Sequence, residues 1–325
     1  MLIISNQNIN TAFNLAAEEY MLKNSKEEIF MLWQGKSSIL IGKNQNSLAE
    51  VNIDYVNKHN IPVVRRITGG GTVFCDLGNI NFTFITNDDK SFVDFRRFTK
   101  PIIEVLRSLG VEAEFSGRND LIIKGKKFSG NAQYKYKSRL LHHGTLLFSS
   151  DVRNLSMALN PKQIKYESKG IKSVKSRITN ISAHIQKKID IMEFKKLIYK
   201  HIESTDYKSR YYDFTEKDIK EINRLVNEKY NTWEWNFGNS PKYSFVNQKK
   251  FSGGIVEINF EVKKGKITAI KIYGDFFGKL DIKDIENALI DIEHEPNKIR
   301  DVLENFNFND YFYGITVDQF IEVLF

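Results

Sequence analysis

The stretch Arg65-Arg66-Ile67-Thr68-Gly69-Gly70-Gly71-Thr72-Val73-Phe74 sets three successive glycines behind a pair of arginines. Val63 to Arg66 and Thr72 to Cys75 carry the β-branched and aromatic residues of strands, so the glycines read as the turn between them. Lacking side chains, they let the backbone approach a ligand closely and present consecutive N–H groups to phosphate oxygens, with two guanidinium groups nearby to neutralise charge. One consequence is an anion site; the other is a tight turn with an arginine pair at the surface. The stretch is neither the dinucleotide fingerprint nor a Walker loop, because the glycine spacing of the first and the Lys-Ser/Thr of the second are missing.

Working outward, Thr11 is placed to cap a helix in which Phe13, Ala16, Ala17, Tyr20 and Met21 recur at helical spacing, leaving Glu18 and Glu19 largely on another face. Ile29 to Trp33 and Ser38 to Ile41 read as a hairpin or as neighbouring strands, and Asn81 to Thr86 as a further strand. Phe95 to Leu109 is a helix closed by Gly110; Leu121 to Ile123 turns through Lys124-Gly125 into a strand from Lys127; Leu140 to Phe148 continues the strand-rich pattern. Longer helical patterns follow around Phe194 to Ile202 and Glu216 to Val226. Ser252 to Val262 and Lys266 to Gly274 alternate apolar and polar residues across a Lys-Lys-Gly turn. The expected class is α+β: mixed and antiparallel sheets packed by helices over residues 1–241, joined through Gly238-Asn239-Ser240-Pro241 to a small α/β domain over 242–325.

Composition narrows the function. The chain has 325 residues, 41% of them hydrophobic, with 24 Phe and 14 Tyr, enough for a substantial core. Cys75 is the single cysteine, so no internal disulfide forms, and neither a secretory leader nor an apolar run of the roughly 20 residues that span a bilayer is evident. The cytoplasm is the expected compartment, without a membrane partner. A net charge of +8 suits acidic proteins or phosphorylated small molecules. Nucleic acid is not expected, because the lysines are scattered and no zinc-finger or RRM signature appears.

Three further stretches carry candidate chemistry. In Lys126-Lys127-Phe128-Ser129-Gly130, alternation along a strand sends Lys127 away from Phe128, towards a cleft or towards solvent. His142 and His143 are adjacent on a strand and point to opposite faces, which makes them a poor pair for one metal. One of them can position a substrate or pack in the core. Asp120, in Gly117-Arg118-Asn119-Asp120, suits either a magnesium ion or the cap of a turn.

Together these segments resemble the lipoate-protein ligase family. Arg65-Arg66 with the triple glycine and Val73-Phe74 looks like its nucleotide and lipoate loop, and Gly117 to Asp120, Lys127 to Gly130 and His142 to Leu147 match further motifs in order. The likeness runs from Phe13-Asn14-Leu15-Ala16 through Gly170-Ile171 and Val174 to Asn180 to Trp233-Glu234-Trp235-Asn236-Phe237-Gly238. It implies a biotin/lipoyl-ligase-like catalytic fold and two half-reactions: lipoate attacks the α-phosphate of ATP, and an acceptor lysine then attacks the lipoyl-adenylate. By position, the resemblance gives Arg66, Gly71, Thr72, Val73, Phe74 and Lys127 to ATP, and Arg65, Gly69, Gly70, Lys127 and His143 to lipoate. Lys127 is the expected catalytic residue, with Mg2+ near Asp120. The expected acceptors are apo lipoyl domains of 2-oxoacid dehydrogenase E2 subunits or the glycine cleavage H protein, served by a monomer.

One departure stands out. The family commonly carries Phe-His-Asp where this chain has Phe74-Cys75-Asp76. Two rivals follow: an acyltransferase of the same fold working through a cysteine thioester, for which Cys75 is the only candidate, and a lipoate-binding protein without turnover.

Overall fold

The computed structural model describes residues 1–88, 92–151, 177–237, 245–263 and 265–325. The chain divides into two compact units: Met1–Ile41, Ser47–Arg66 and Thr72–Asn236 form the first, and Gly42–Asn46, Ile67–Gly71 and Phe237–Phe325 the second. The linker expected at 238–241 lies outside the described residues, as do the family segments from Gly170 to Ser176.

The first unit holds two sheets. Its strands are β1 (Leu2–Ser5), β2 (Ile29–Trp33), β3 (Ser38–Ile41), β4 (Val63–Arg65), β5 (Val73–Cys75), β6 (Asn79–Thr86), β7 (Ala113–Ser116), β8 (Asp120–Ile123), β9 (Lys126–Tyr136), β10 (Arg139–Leu147) and β11 (Arg210–Tyr211). Eight of them form a mixed sheet in the order β11-β1-β2-β6-β10-β9-β8-β7, and the other three a separate sheet, β4-β3-β5. The runs Ile29–Trp33 and Ser38–Ile41 therefore belong to different sheets and do not pair, so they are neither the hairpin nor the neighbouring strands expected. A two-residue turn with positive φ at Lys124 and Gly125 closes the β8–β9 hairpin as the sequence predicts.

Period-two alternation sorts the central strands into two faces. Ile80, Phe82 and Phe84 of β6, Leu140 and Leu146 of β10, and Phe128 of β9 enter one core with Phe98, Ile102 and Leu106 of the helix Phe95–Ser108 and Phe194, Ile198 and Ile202 of the helix Ile191–Thr205. The other face of β6 presents Asn79, Asn81 and Thr83, all buried although polar. Helix α1 (Thr11–Asn24) contributes Glu18 to this side. Asn10, rather than Thr11, caps it, its side chain accepting from the Phe13 N–H, while Thr11 shares a 2.8 Å hydrogen bond with Ser38.

The acidic pair of α1 does not face solvent as the helical pattern implies; both residues are buried. Glu19 accepts from Lys23 at 2.6 Å, Lys229 at 2.7 Å and the Tyr230 hydroxyl at 2.6 Å. Burial opposes its ionisation, but Lys229 leads the partners that outweigh it and hold its pKa below the ordinary value.

The second unit carries three strands, β12 (Phe245–Phe251), β13 (Gly254–Lys263) and β14 (Lys266–Gly274), in an antiparallel sheet of that order. The β13–β14 pair is legible in the sequence, whereas β12 is not. Ile258, Phe260 and Ile272 pack with Phe276, Phe312 and Phe320 in a core of its own.

Candidate active site

The buried polar face of the large sheet forms a continuous wall. His143 lies opposite Thr83 in the β10–β6 register, and Thr145 opposite Asn81. Glu18 reaches this wall from α1: one carboxyl oxygen accepts from Trp33 Nε1 at 3.1 Å and from the Thr83 hydroxyl, the other from His143 Nδ1 at 2.9 Å. Donation from Nδ1 fixes the ring's tautomer and orientation. Sequence periodicity misses Glu18 because Phe13, Ala16 and Ala17 suggest a single apolar face; the Asn14-Leu15-Ala16-Ala17-Glu18-Glu19 stretch of the helix is buried all round.

His142 points the other way, as adjacency on a strand requires. It stacks on Phe98 at 4.8 Å and bonds Gln133 at 3.1 Å and Asn131 at 3.3 Å. Burial, reinforced by His143, holds its pKa well below the usual histidine range, so it is a neutral core residue.

Lys127 stands at the start of β9 and projects its ammonium to Asp120 of β8, 2.8 Å away. Both side chains are partly open, at 42% and 34% exposure, so the lysine is held without being sealed. A Cβ on Gly130 would lie 3.1 Å from both Cε and Nζ of Lys127, which makes the absent side chain the floor on which the lysine rests. The Gly130 N–H donates to the Thr145 hydroxyl at 3.3 Å, and Thr145 shares the strand face of His143. The lysine's support is thereby tied to the polar wall.

Asp120 is thus occupied as a partner of Lys127. Among the described residues no group of three or more His, Cys, Asp or Glu could hold a metal ion. Mg2+ usually keeps waters and substrate phosphates and takes only one or two protein carboxylates, so the single Asp120 carboxylate fits an ion that arrives with ATP rather than a resident one.

The arginine pair divides its work. Arg65 is committed to the fold: its guanidinium donates to the carbonyls of Trp235 at 2.9 Å and Asn236 at 3.1 Å and to the Ser47 hydroxyl. Arg66 is buried and donates to the Leu40 carbonyl at 3.2 Å. Burial lowers its pKa to about 10, with Cys75 and Glu18 acting in the opposite sense, so it stays cationic at neutral pH beside the polar wall.

The three glycines differ as well. A Cβ at Gly69 would strike the Phe276 carbonyl at 2.6 Å, and Gly70 has φ +89° with its carbonyl packed on Gly42. Packing demands glycine at 69, and the left-handed backbone favours it at 70. A Cβ at Gly71 would meet open space, and the residue has no left-handed φ, so sterics within the chain do not demand glycine there. Thr72 donates to Glu50 at 3.2 Å, and β5 carries Val73 half-buried and Phe74 buried.

Cys75 is fully buried, near Asn81 at 3.7 Å and Asn79 at 3.5 Å. Burial raises its pKa to about 12, so at neutral pH it is a thiol and no nucleophile. The thioester rival loses its only candidate.

A buried polar wall with a carboxyl-oriented histidine, tied to a half-open lysine, is the kind of enzyme site that can stabilise charge developing on acyl and phosphoryl oxygens. The family model described as lipoyl protein ligase A/B catalytic domain matches residues 10–203, and that of the bacterial lipoate protein ligase C-terminus matches 240–324. The chain is 46% identical to lipoate-protein ligase LplJ of Bacillus subtilis, with all of both chains covered. It resembles the structure of P. falciparum LipL1 in complex with lipoate, at TM-score 0.82 and 27% identity over 99% of this chain and 98% of that one. An archaeal bipartite lipoate protein ligase with its E2 lipoyl domain from Thermoplasma acidophilum aligns at TM-score 0.68 and 29% identity, covering 75% and 98%. Lipoate-protein ligase A bound with ATP aligns at 0.62 and 27%, covering 73% and 97%. The chain belongs to the lipoate-protein ligase family.

Proposed function

We propose that this ligase activates lipoate at Lys127 and passes it to a lysine of an apo lipoyl domain or of the glycine cleavage H protein. The observation that carries the assignment is the Lys127 ammonium, held by Asp120 over Gly130 yet open to a ligand. The lipoate carboxylate attacks the α-phosphorus of ATP, the bond to the bridging oxygen breaks, and pyrophosphate leaves. The acceptor amine then attacks the acyl carbonyl and AMP departs. Lys127 stabilises the negative charge that grows on carboxyl and phosphoryl oxygens in both steps, a contribution typically worth about 3 kcal/mol for one well-placed donor. No cysteine takes part.

In this reading Arg66, Thr72, Val73 and Phe74 bind ATP, and Gly71 lets the nucleotide come close to the backbone. His143, held by Glu18, lines the lipoate site. Arg65, Gly69 and Gly70 act on that site by fixing the loop. Mg2+ held by Asp120 and the phosphates would neutralise charge on the triphosphate. In this reading the enzyme works as a monomer, and an ATP substrate suits the cytoplasm. A catalytic domain over 1–241 and an accessory domain over 242–325 complete the proposal.

The test follows lipoate-dependent pyrophosphate release, then the lipoyl mass increment on an apo lipoyl domain. Wild type and Cys75→Ala are expected to do both, while Lys127→Ala loses roughly 100-fold or more in pyrophosphate release with its melting temperature unchanged. Loss of acyl transfer in Cys75→Ala without ATP turnover would overturn the reading, and binding of lipoate without either activity would leave a carrier.

A further inference from the structure

We infer that Asn131 is a positioning residue for Lys127: it clamps β8 to β9 and so traps the extra residue, Phe128, that turns the lysine towards Asp120. The inference rests on the reading of Lys127 above and adds what aims that side chain.

The register of the two strands is broken at one point. Asp120 lies opposite Gly130 and Leu121 opposite Ser129, but Ile122 lies opposite Lys127, so Phe128 has no partner and forms a β-bulge. Residues three apart on a regular strand point to opposite faces, which would set Lys127 and Gly130 on different sides of the sheet. The bulge resets the alternation. Phe128 and Ser129 are both buried, with Phe128 in the core that holds Leu121, whereas the Lys127 side chain runs over Gly130 to Asp120. An unbroken ladder would instead pair Ile122 with Phe128, bring the phenyl ring to the polar side and point the ammonium at the core.

Two fixed ends create the surplus residue. At one end the Lys124-Gly125 turn sets Ile123 opposite Lys126. At the other, the N–H and the side-chain Nδ2 of Asn131 both donate to the Asn119 carbonyl at 3.0 Å, and Asn119 Nδ2 donates back to the Asn131 carbonyl at 2.6 Å. Four steps along β8 from Asn119 to Ile123 therefore face five along β9 from Asn131 to Lys126, and the fifth is taken up at Phe128. Asn131 is itself locked, 3% exposed, with Nδ2 donating to the Ser129 hydroxyl at 3.2 Å and Oδ1 sharing a 3.3 Å hydrogen bond with His142 Nε2. A Cβ on Gly144, which lies opposite Asn131 in β10, would come within 2.2 Å of that Oδ1, so the missing side chain makes room for the clamp. The Thr179 N–H donates to the Lys127 carbonyl at 2.9 Å and holds the backbone next to the bulge.

The experiment measures lipoate-dependent pyrophosphate release by the full-length enzyme in Asn131→Ala, Lys127→Ala and the double variant. Loss of the clamp frees the register, so Asn131→Ala is expected to lower kcat about tenfold or more while the KM for ATP stays within about threefold. Because Asn131 acts through the lysine, the double variant should be no slower than Lys127→Ala. Where Asn131→Ala does not fold, Asn119→Ala decides: it removes only the bond from the half-buried Asn119 amide, and should slow the enzyme roughly threefold or more when Lys127 is present and not at all when it is alanine. An unchanged kcat in the folded variants, or the same fold-loss in the Lys127→Ala background, overturns the clamp and leaves the Lys127 reading standing. Wild-type pyrophosphate release by Lys127→Ala defeats that reading, and the inference with it.

Discussion

Glu18 and Asp120 each hold a basic side chain of the same sheet, but at opposite levels of solvent access. Glu18 is sealed, with Trp33, Thr83 and His143 all donating to its carboxyl group. Asp120 and Lys127 are both partly open, and each keeps room for another partner. Burial strengthens every interaction of the first cluster and makes each one obligatory, because a donor left behind has no water to turn to. Solvent weakens the second pair, so the lysine can exchange a carboxylate for a substrate oxygen without a large penalty. The sealed carboxyl fixes the wall, while the open one leaves its lysine able to change partners.

The widest gap between the two should appear on deletion. Glu18→Ala strands three donors in the wall and is expected to lower stability by about 3–5 kcal/mol, read from urea unfolding. Glu18→Gln, which keeps one acceptor, should lose less. A loss under about 1 kcal/mol for Glu18→Ala would show that water replaces the carboxyl and that the wall is not sealed.

Gly130→Ala probes the open pair without touching either charge. The new methyl group would press first on the flexible end of Lys127, so the fold should stay intact while the ammonium shifts. Adenylation is expected to fall roughly 10- to 100-fold, since displacements of about 1 Å at a reacting group have effects of that order. Unchanged pyrophosphate release would mean that the position of Lys127 over Gly130 is incidental.

The smallest effect concerns Asp218, a carboxylate between these extremes. Burial works against its ionisation, but hydrogen bonds from Tyr212, Thr215 and Tyr20 prevail and hold its pKa at about 2. A depressed carboxylate pKa contributes stability above its unfolded value near 3.8, and that contribution fades as pH falls towards 2. Asp218→Asn should therefore be less stable at neutral pH and show a shallower decline between about pH 4 and 2. Parallel stability curves for the two proteins would remove Asp218 from the acid response.

Much of the fold can be read locally. The β8–β9 hairpin follows from Lys124-Gly125, the helix from Phe95 from its periodicity and Gly110, and the opposed histidines from strand alternation. These features depend on residues a few positions apart, where backbone sterics and side-chain period decide the outcome. The pairing of Ile29–Trp33 with Asn81–Thr86 instead of Ser38–Ile41 cannot be read in this way, because apolar runs specify burial and not a partner. The strand Phe245–Phe251 escapes for a related reason: its Asn-Gln-Lys-Lys centre lacks the expected alternation, and pairing with β13 supplies what propensity does not.

The sequence alone determined the family, the glycine loop, the candidacy of Lys127 and the odd Cys75. Those rest on residue identity and order, which covalent structure fixes. Only the tertiary structure decided that Asn81, Thr83, Glu18 and His143 form a buried wall rather than a solvated face, that Arg65 is spent on Trp235 and Asn236, and that Gly69 is fixed by packing and Gly70 by a left-handed backbone while Gly71 faces open space. A polar residue's role depends on which distant group removes water from it, and this is set when the chain closes on itself.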